Sequence, residues 1–481
     1  MPKPLNRTTA DVNAAPASDK VLQFGEGNFL RAFVDWQIDI LNEKTSFEGN
    51  INIIQPIPHG MVDVLEKQDG LYHVLLEGMK DGSPHTEKRL ITSVKGGINP
   101  YENYEEYLAL GENLDLEFIV SNTTEAGISF DENDTSYEEI PSSFPAKLTA
   151  LLHHRFNHFD GDPDTAPVII PCELIDRNGD KLKEFILQYA ELWSTGEDFY
   201  NWVDTHCTFC NTLVDRIVPG YPKERADDLK EEIGFDDNLI VAGEYFHLWV
   251  IEGPDSLEER LPFREAGLNV RFVDDLTPYR TRKVRILNGL HTSMVPVGYL
   301  HGNRTVKDAV DDEIVGPFLQ EELYQEIIPT LDFPEDELRE FADDILERFY
   351  NPYIKHELSA IALNSISKYK VRVLPSLLKY HEIKGELPHR LTFALAALLC
   401  FYKGEWNGEP IPLNDSEAII ASIKEAWSAE SVEETVQKIL STTSFWDQNL
   451  DDIPGLTAKT ANYVSGILEN GVASTIQEID G

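Results

Sequence analysis

Apolar positions in the first half of the chain gather into short runs, whereas those of the second half recur at helical spacing. Lys20-Val-Leu-Gln-Phe24 is a brief apolar run that predicts a buried strand. Directly after it, Phe29, Phe33, Trp36, Ile40 and Leu41 return at the period of an amphipathic helix. Further strand-like runs lie at Asn52–Gln55, Tyr72–Leu76, Arg89–Val94, Glu117–Ser121 and Val168–Pro171, with helical segments between several of them. Asp131–Ser143 and Asn157–Ala166 read as acidic loops. The alternation predicts a doubly wound α/β domain.

Past about residue 275 the strand-like runs stop. Asp332-Phe-Pro334 opens a helix whose Leu338, Phe341, Ile345 and Phe349 form one apolar stripe. Leu391–Tyr402 is apolar almost throughout; too short to cross a bilayer, it suits a buried helix. The expected division is a flexible arm over 1–19, a nucleotide-binding α/β domain over 20–278, and a mostly helical domain over 279–481 that carries substrate and catalysis.

Charge changes this picture more than size does. The chain holds 84 acidic against 41 basic residues, a net charge of −43. No basic stripe exists to displace phosphate counterions, which excludes a nucleic-acid binder. Such a field also repels anionic ligands at low salt. At about 1 M salt the Debye length shrinks to roughly 3 Å, so the composition points to a host with a salty cytoplasm. The polar stretch Met1–Asp19 lacks the basic and apolar regions of a secretion signal, and the expected location is cytoplasmic, away from membranes. Cys172, Cys207, Cys210 and Cys400 are too few for a disulfide framework in so long a chain. His206, Cys207 and Cys210 have metal-like spacing, yet no second pair completes four ligands. His154 and His158 stand four apart with no accompanying His-Glu signature, as on a solvated helix face. No metal is expected.

Between the first strand and its helix lies Gly25-Glu-Gly27-Asn28-Phe29-Leu-Arg31. Glycine at 25 permits a tight turn, and glycine at 27 lets a pyrophosphate approach the backbone at the helix start. The third glycine of the usual dinucleotide fingerprint is replaced by Leu30. Phe24, Gly25, Gly27, Asn28, Phe29 and Arg31 are the candidate cofactor turn of a Rossmann-type fold. After the second strand, where an acid would hold the ribose hydroxyls, stands Gln55, with no arginine to greet a 2′-phosphate; this favours NAD over NADP. Ser121-Asn-Thr-Thr124-Glu125-Ala-Gly127 follows another strand at its carboxyl end, making Thr124 and Glu125 candidates for the nicotinamide side; a solvated strand-end turn is the competing account.

Lys283-Val-Arg-Ile-Leu-Asn288-Gly-Leu-His291 concentrates a base, an amide and an imidazole among aliphatic residues. In an α-helix Asn288 and His291 lie roughly 140° and 80° round from Lys283, and the span is about 12 Å, so the lysine stem must reach in from the first turn. Burial disfavours an ammonium and would let Lys283 exchange a proton near neutral pH. A core helix with polar residues on its exposed side explains the same nine residues. Arg348, Lys355, His356 and Lys368 surround Asn351-Pro352 and suggest a carboxylate clamp, with surface ion pairs as the alternative. Asp215, in Leu-Val-Asp-Arg216-Ile-Val-Pro, is either half of an internal ion pair or a substrate contact.

Phe24–Trp36, Ser121–Gly127, Pro171-Cys-Glu-Leu-Ile-Asp176 and Lys283–His291 together resemble the mannitol dehydrogenase family of polyol-specific long-chain dehydrogenases, with similarity running from about residue 20 to 470. The Lys-x4-Asn-x2-His spacing matches that family's catalytic signature. The resemblance implies a metal-independent enzyme that moves hydride between NADH and the ketone of a keto-uronate, giving an aldonate. It implies Lys283 as proton donor and acceptor, Asn288 as oxyanion donor, His291 as the group orienting a neighbouring hydroxyl, and a monomer or small homo-oligomer. Polyol-oxidising relatives carry an Asn shortly after the cysteine at 172, where this chain has Glu173-Leu174. Lys355 and His356 are the expected carboxylate grip. A nucleotide sensor without turnover is the alternative from another class, and intact Lys283, Asn288 and His291 argue against it.

Overall fold

The structure is a computed structural model describing residues 2–12, 18–124 and 126–480. It divides into two compact units, Met1–Gly78 with His85–Leu276, and Met79–Pro84 with Thr277–Gly481.

The first unit is built on six parallel strands: β1 (Ser18–Phe24), β2 (Gly49–Ile54), β3 (Val94–Ile98), β4 (Phe118–Ser121), β5 (Val168–Pro171) and β6 (Thr208–Phe209). Their order across the sheet is β3-β2-β1-β4-β5-β6, with every neighbouring pair parallel. That is the order of a dinucleotide-binding sheet, which reverses direction of winding between β1 and β4. Successive side chains feed two separate cores. Val21, Ile51, Ile53, Phe118, Val120, Val168 and Ile170 enter one, while Leu22, Phe24, Ile54, Ile119 and Ile169 enter the other. A sheet covered on both faces needs apolar residues at every position, which is why these strands read as unbroken runs instead of alternating.

Two expectations fail here. The arm over 1–19 is not loose where it is described, because Lys3–Pro4 pairs in parallel with Phe235–Asp236 and Leu5 is buried. Arg7 fixes it further, with Nη2 donating to the carbonyls of Thr92 and Val94, each at 2.9 Å. One leucine and one arginine anchor a segment whose average composition is polar. The strand expected at Tyr72–Leu76 is longer and the one expected at Arg89–Val94 is divided: Tyr72–Lys80 and Ser83–Ile91 form a hairpin whose turn residues Asp81 and Gly82 have φ of 51° and 73°, and Val94 opens β3.

The second unit is helical apart from short pieces such as the Glu405–Trp406/Glu409–Pro410 ribbon. Helix His389–Phe401 is buried from Arg390 onward. At roughly 1.5–3 kcal/mol for each fully buried Leu or Phe side chain, it is a principal source of this unit's stability. Helix Glu335–Phe349 buries Leu338, Phe341, Ala342, Ile345 and Phe349 along the anticipated stripe. The hairpin tip Met79–Pro84 belongs to this unit, with the Gly82 N–H donating to Glu347 Oε1 at 2.6 Å. Among the described residues no helix is long and apolar enough to cross a membrane.

Candidate active site

Each unit carries one group of candidate residues. In the first, Gly25 has φ of +117°, and a Cβ there would lie 3.0 Å from the Asn122 carbonyl oxygen, so only glycine fits the turn. Its N–H donates to the Ile54 carbonyl at 2.9 Å, and the Asn122 N–H to that of Phe24 at 3.1 Å, drawing the ends of β1, β2 and β4 together. Gly27 is different: it is exposed, and a Cβ there would meet nothing within 4 Å. That open space lies at the start of a helical run over 28–44. A bare backbone at a helix start with room above it suits a pyrophosphate, so the turn passes the geometric test for a dinucleotide.

The neighbouring candidates divide. Phe24 is fully buried against Tyr107 and Phe144, a core residue under the turn. Arg31 is also buried; its guanidinium donates to the carbonyls of Glu26 and Leu239 and to Asn28 Oδ1. Its guanidinium is thus engaged in bracing the turn and orienting Asn28. Phe29 stacks on Phe33 at 4.9 Å. Gln55 is buried, with Nε2 donating to the Ile57 carbonyl at 2.9 Å.

At the end of β4, Thr124 has φ of 76°, a strained value for a β-branched residue. Glu125 lies outside the described residues. The preceding residues are held by Glu173, whose carboxylate accepts from Ser121 Oγ, the Thr123 N–H and Thr123 Oγ1, each at 3.0 Å. Burial pushes its pKa up, while those three donors favour the charged form. Glu173 therefore serves as a bracket for the β4 loop, and Leu174 beside it is exposed. Asp215 ends a strand of a different, three-stranded sheet and is buried. Arg216 donates to the carbonyls of Ala32, Tyr245 and Phe246 and lies 4.2 Å from the Trp36 ring.

The nine-residue stretch from Lys283 to His291 is not a regular α-helix. Helix Thr277–Lys283 passes through a π turn, Val284–Asn288, into helix Gly289–His301. The Gly289 N–H reaches the Val284 carbonyl five residues back. Five residues wind about 1.4 turns in α geometry, whereas closure at i→i+5 brings them nearer one turn. Asn288 therefore swings from the expected 140° toward the face of Lys283. Lys283, Asn288 and His291 are all partly exposed, while Ile286, Leu287 and Leu290 between them are buried. Lys283 is thus less enclosed than the dry site expected for it. Gly289 is closely packed, since a Cβ would sit 3.2 Å from the Arg372 carbonyl oxygen of a neighbouring helix.

His291 is seated between two rings. Phe349 stacks on it at 4.5 Å and 26°, and His356 meets it edge-on at 5.1 Å. Burial, and then the Arg348 charge, lower the His356 pKa. The sequence-distant rings of His291, Phe349 and His356 are thereby brought together. Lys355 is not: its ammonium pairs with Glu357 at 2.6 Å and is 79 % exposed. Lys368 Nζ donates to the Ile361 carbonyl at 2.8 Å.

Among the described residues no group of three or more His, Cys, Asp or Glu is placed to hold a metal. The four cysteines are free thiols in buried positions. His154 and His158 share Glu112 Oε1, at 2.9 and 3.9 Å, on an exposed face.

An open sheet wound for a dinucleotide and a helical unit with partly exposed Lys283, Asn288 and His291 define a two-part dehydrogenase architecture. The chain belongs to the mannitol dehydrogenase family: the family's Rossmann domain matches residues 19–265 and its C-terminal domain matches residues 275–468. It is 47 % identical to an altronate oxidoreductase of Bacillus subtilis (strain 168), covering 96 % of this chain and 95 % of that one. It is 46 % identical to an altronate oxidoreductase of Escherichia coli O139:H28, covering 99 % and 100 %. A substrate-free D-sorbitol dehydrogenase has the same fold, with TM-score 0.83 and 23 % identity over 98 % of this chain and all of the other. Pseudomonas fluorescens mannitol 2-dehydrogenase, in a ternary complex with NAD and D-mannitol, superposes with TM-score 0.67 and 22 % identity over 99 % of each chain.

Proposed function

We propose that this chain is an NAD-dependent enzyme interconverting altronate and tagaturonate. The observation that carries the reading is the near-complete coverage, in both directions, of relatives of 46–47 % identity that bear this activity's name, joined to a chain in which Lys283, Asn288 and His291 are all partly exposed. NAD, when bound, supplies the hydride acceptor for altronate and, as NADH, the donor for the ketone. Gly25 makes the tight turn and Gly27 leaves the backbone bare for its pyrophosphate. As the ketone is reduced, negative charge gathers on its oxygen. The Asn288 amide N–H donates to that oxygen, and the Lys283 ammonium delivers the proton that makes it a hydroxyl; in oxidation the neutral amine takes it back. His291, fixed by Phe349 and His356, orients a neighbouring hydroxyl of the sugar acid. We place the enzyme in the cytoplasm, as a monomer or small homo-oligomer.

The substrate's carboxylate is assigned to Arg348, whose charge acts on His356, the ring that meets His291, in place of the solvent-facing Lys355. A charged hydrogen bond to a carboxylate contributes about 1.5–3 kcal/mol, so Arg348→Ala is expected to raise KM for the sugar acid by roughly 10- to 150-fold. The same variant should leave the affinity for NADH unchanged. A KM within twofold of wild type would move the carboxylate elsewhere.

The activity itself is checked by NADH oxidation with purified tagaturonate and, separately, with its epimer fructuronate. Faster turnover of tagaturonate is expected. Preference for fructuronate would reassign the substrate within the same chemistry. NADH binding without reduction of either ketone would favour a nucleotide sensor.

A further inference from the structure

We infer that Glu26, the residue between the two glycines of the first turn, selects NADH against NADPH by holding its carboxylate where the adenosine ribose lies. The inference rests on the dinucleotide reading of that turn. In a sheet of this order, an acid beyond the second strand accepts bonds from the ribose hydroxyls. Here β2 is followed by Gln55, an amide that lacks the charge to refuse a 2′-phosphate.

The structure brings an acid to the same place by another route. Glu26 is 9 % exposed, and its side chain leaves the turn after β1 toward the segment that follows β2. A Cβ built on Gly60 would collide with Glu26 Oε1 and would lie 2.5 Å from Gln55 Oε1, so the two oxygens pack together against the Gly60 backbone. The missing side chain at Gly60 is what leaves room for both oxygens. The Met61 N–H donates to Glu26 Oε1 and the Val62 N–H to Gln55 Oε1, both at 3.4 Å. These are long bonds that leave acceptor capacity on each oxygen. The bond from Gln55 Nε2 to the Ile57 carbonyl keeps the amide oxygen on the Gly60 side, next to Glu26 Oε1. The main chain of Glu26 is itself fixed, its carbonyl accepting from Arg31 Nε at 3.0 Å.

Two acceptors at the ends of adjacent strands match the two hydroxyl donors of an unmodified ribose. A 2′-phosphate offers no donor in its ionised form and adds about 1.5 to 2 negative charges. It would meet the carboxylate at close range, and the repulsion is what discriminates. Because the chain carries −43 overall, removing one charge hardly alters the general field. A large change in preference on substituting Glu26 is therefore local.

The test titrates NADH and NADPH against the whole protein by fluorescence and follows initial rates with each, in wild type, Glu26→Gln and Glu26→Asp. Wild type is expected to bind NADH at least about tenfold more tightly than NADPH, and Glu26→Gln to narrow that ratio by roughly tenfold, chiefly through gained NADPH affinity. Glu26→Asp withdraws the same charge by one methylene and should fall between the two. It serves alone if the glutamine variant does not fold. A ratio unchanged from wild type in a folded variant overturns the inference, as does equal affinity of wild type for the two nucleotides. Wild type that binds neither would instead refute the dinucleotide reading of the turn.

Discussion

Lys283→Ala is expected to lower kcat for ketone reduction by about 10²- to 10⁴-fold, the range spanned by a positioned acid or base. The argument is geometric. The π turn places Asn288 nearer the face of Lys283 than an α-helix would, so one substrate oxygen can meet an amide donor and an ammonium together. Alanine removes the proton donor and leaves the amide. Water must then protonate the alkoxide from a less favourable position. The lysine is partly exposed and lies outside the buried Ile286–Leu287 face, so the fold should tolerate its loss and the unfolding temperature should change little. NADH affinity should also hold, because the glycine turn is formed by other residues. Single-turnover rates for wild type and variant, with tagaturonate saturating, separate chemistry from product release. A fall in rate of less than about tenfold would mean that another group supplies the proton. Added alkylamines that restore activity in proportion to their fit would strengthen the assignment.

The second large effect concerns salt. Raising KCl from 0.1 M to about 2 M is expected to lift the first thermal transition by on the order of 10 °C, as screening shortens the reach of like-charge repulsion from roughly 10 Å to below 3 Å. Helix Glu335–Phe349 shows where the repulsion lies. Glu335, Asp336, Glu337, Glu340, Asp343, Asp344 and Glu347 stand on it against Arg339 and Arg348. Asp344 is the most compromised: burial, followed by Glu340 and Glu347, pushes its pKa up to about 6. A carboxyl raised in the folded state is most favourable when protonated. Its contribution to stability is full below its unfolded pKa of about 3.9 and is lost as pH rises through about 6. Asp344→Asn should therefore raise the transition temperature at pH 7, have no such effect at pH 3.5, and reduce the response to KCl slightly. Sucrose, which stabilises by exclusion without screening, is the control. An equal response to sucrose and KCl, or none to KCl, would refute the electrostatic account and with it the inference of a salty host.

Much of this protein is legible in its sequence because the signals are local. A strand covered on both faces must be apolar throughout, so β1, β2, β4 and β5 announce themselves as runs. The Gly25 turn declares itself because a positive φ excludes other residues. Lys283, Asn288 and His291 stand within nine residues, and the family resemblance rests on that spacing.

Other features depend on groups far apart in the chain, which periodicity does not register. A π turn comes from one displaced hydrogen bond, here from Gly289 to Val284, and leaves no compositional mark. The seat of His291 is built from Phe349 and His356, more than fifty residues on, and only packing distinguishes His356 from its exposed neighbour Lys355. The polar first residues read as a loose arm until Phe235–Asp236 supplies a strand for them. Arg31 looks like a phosphate ligand until its guanidinium is found among backbone carbonyls. Glu26 occupies the variable position of a glycine motif, and its direction is set by the Met61 N–H and by the room that Gly60 leaves across the sheet's end. Sequence determined the elements and the reactive residues, because propensity and steric exclusion act within a few positions. Tertiary structure decided which side chains face one another, because that depends on contacts whose partners are remote in the chain.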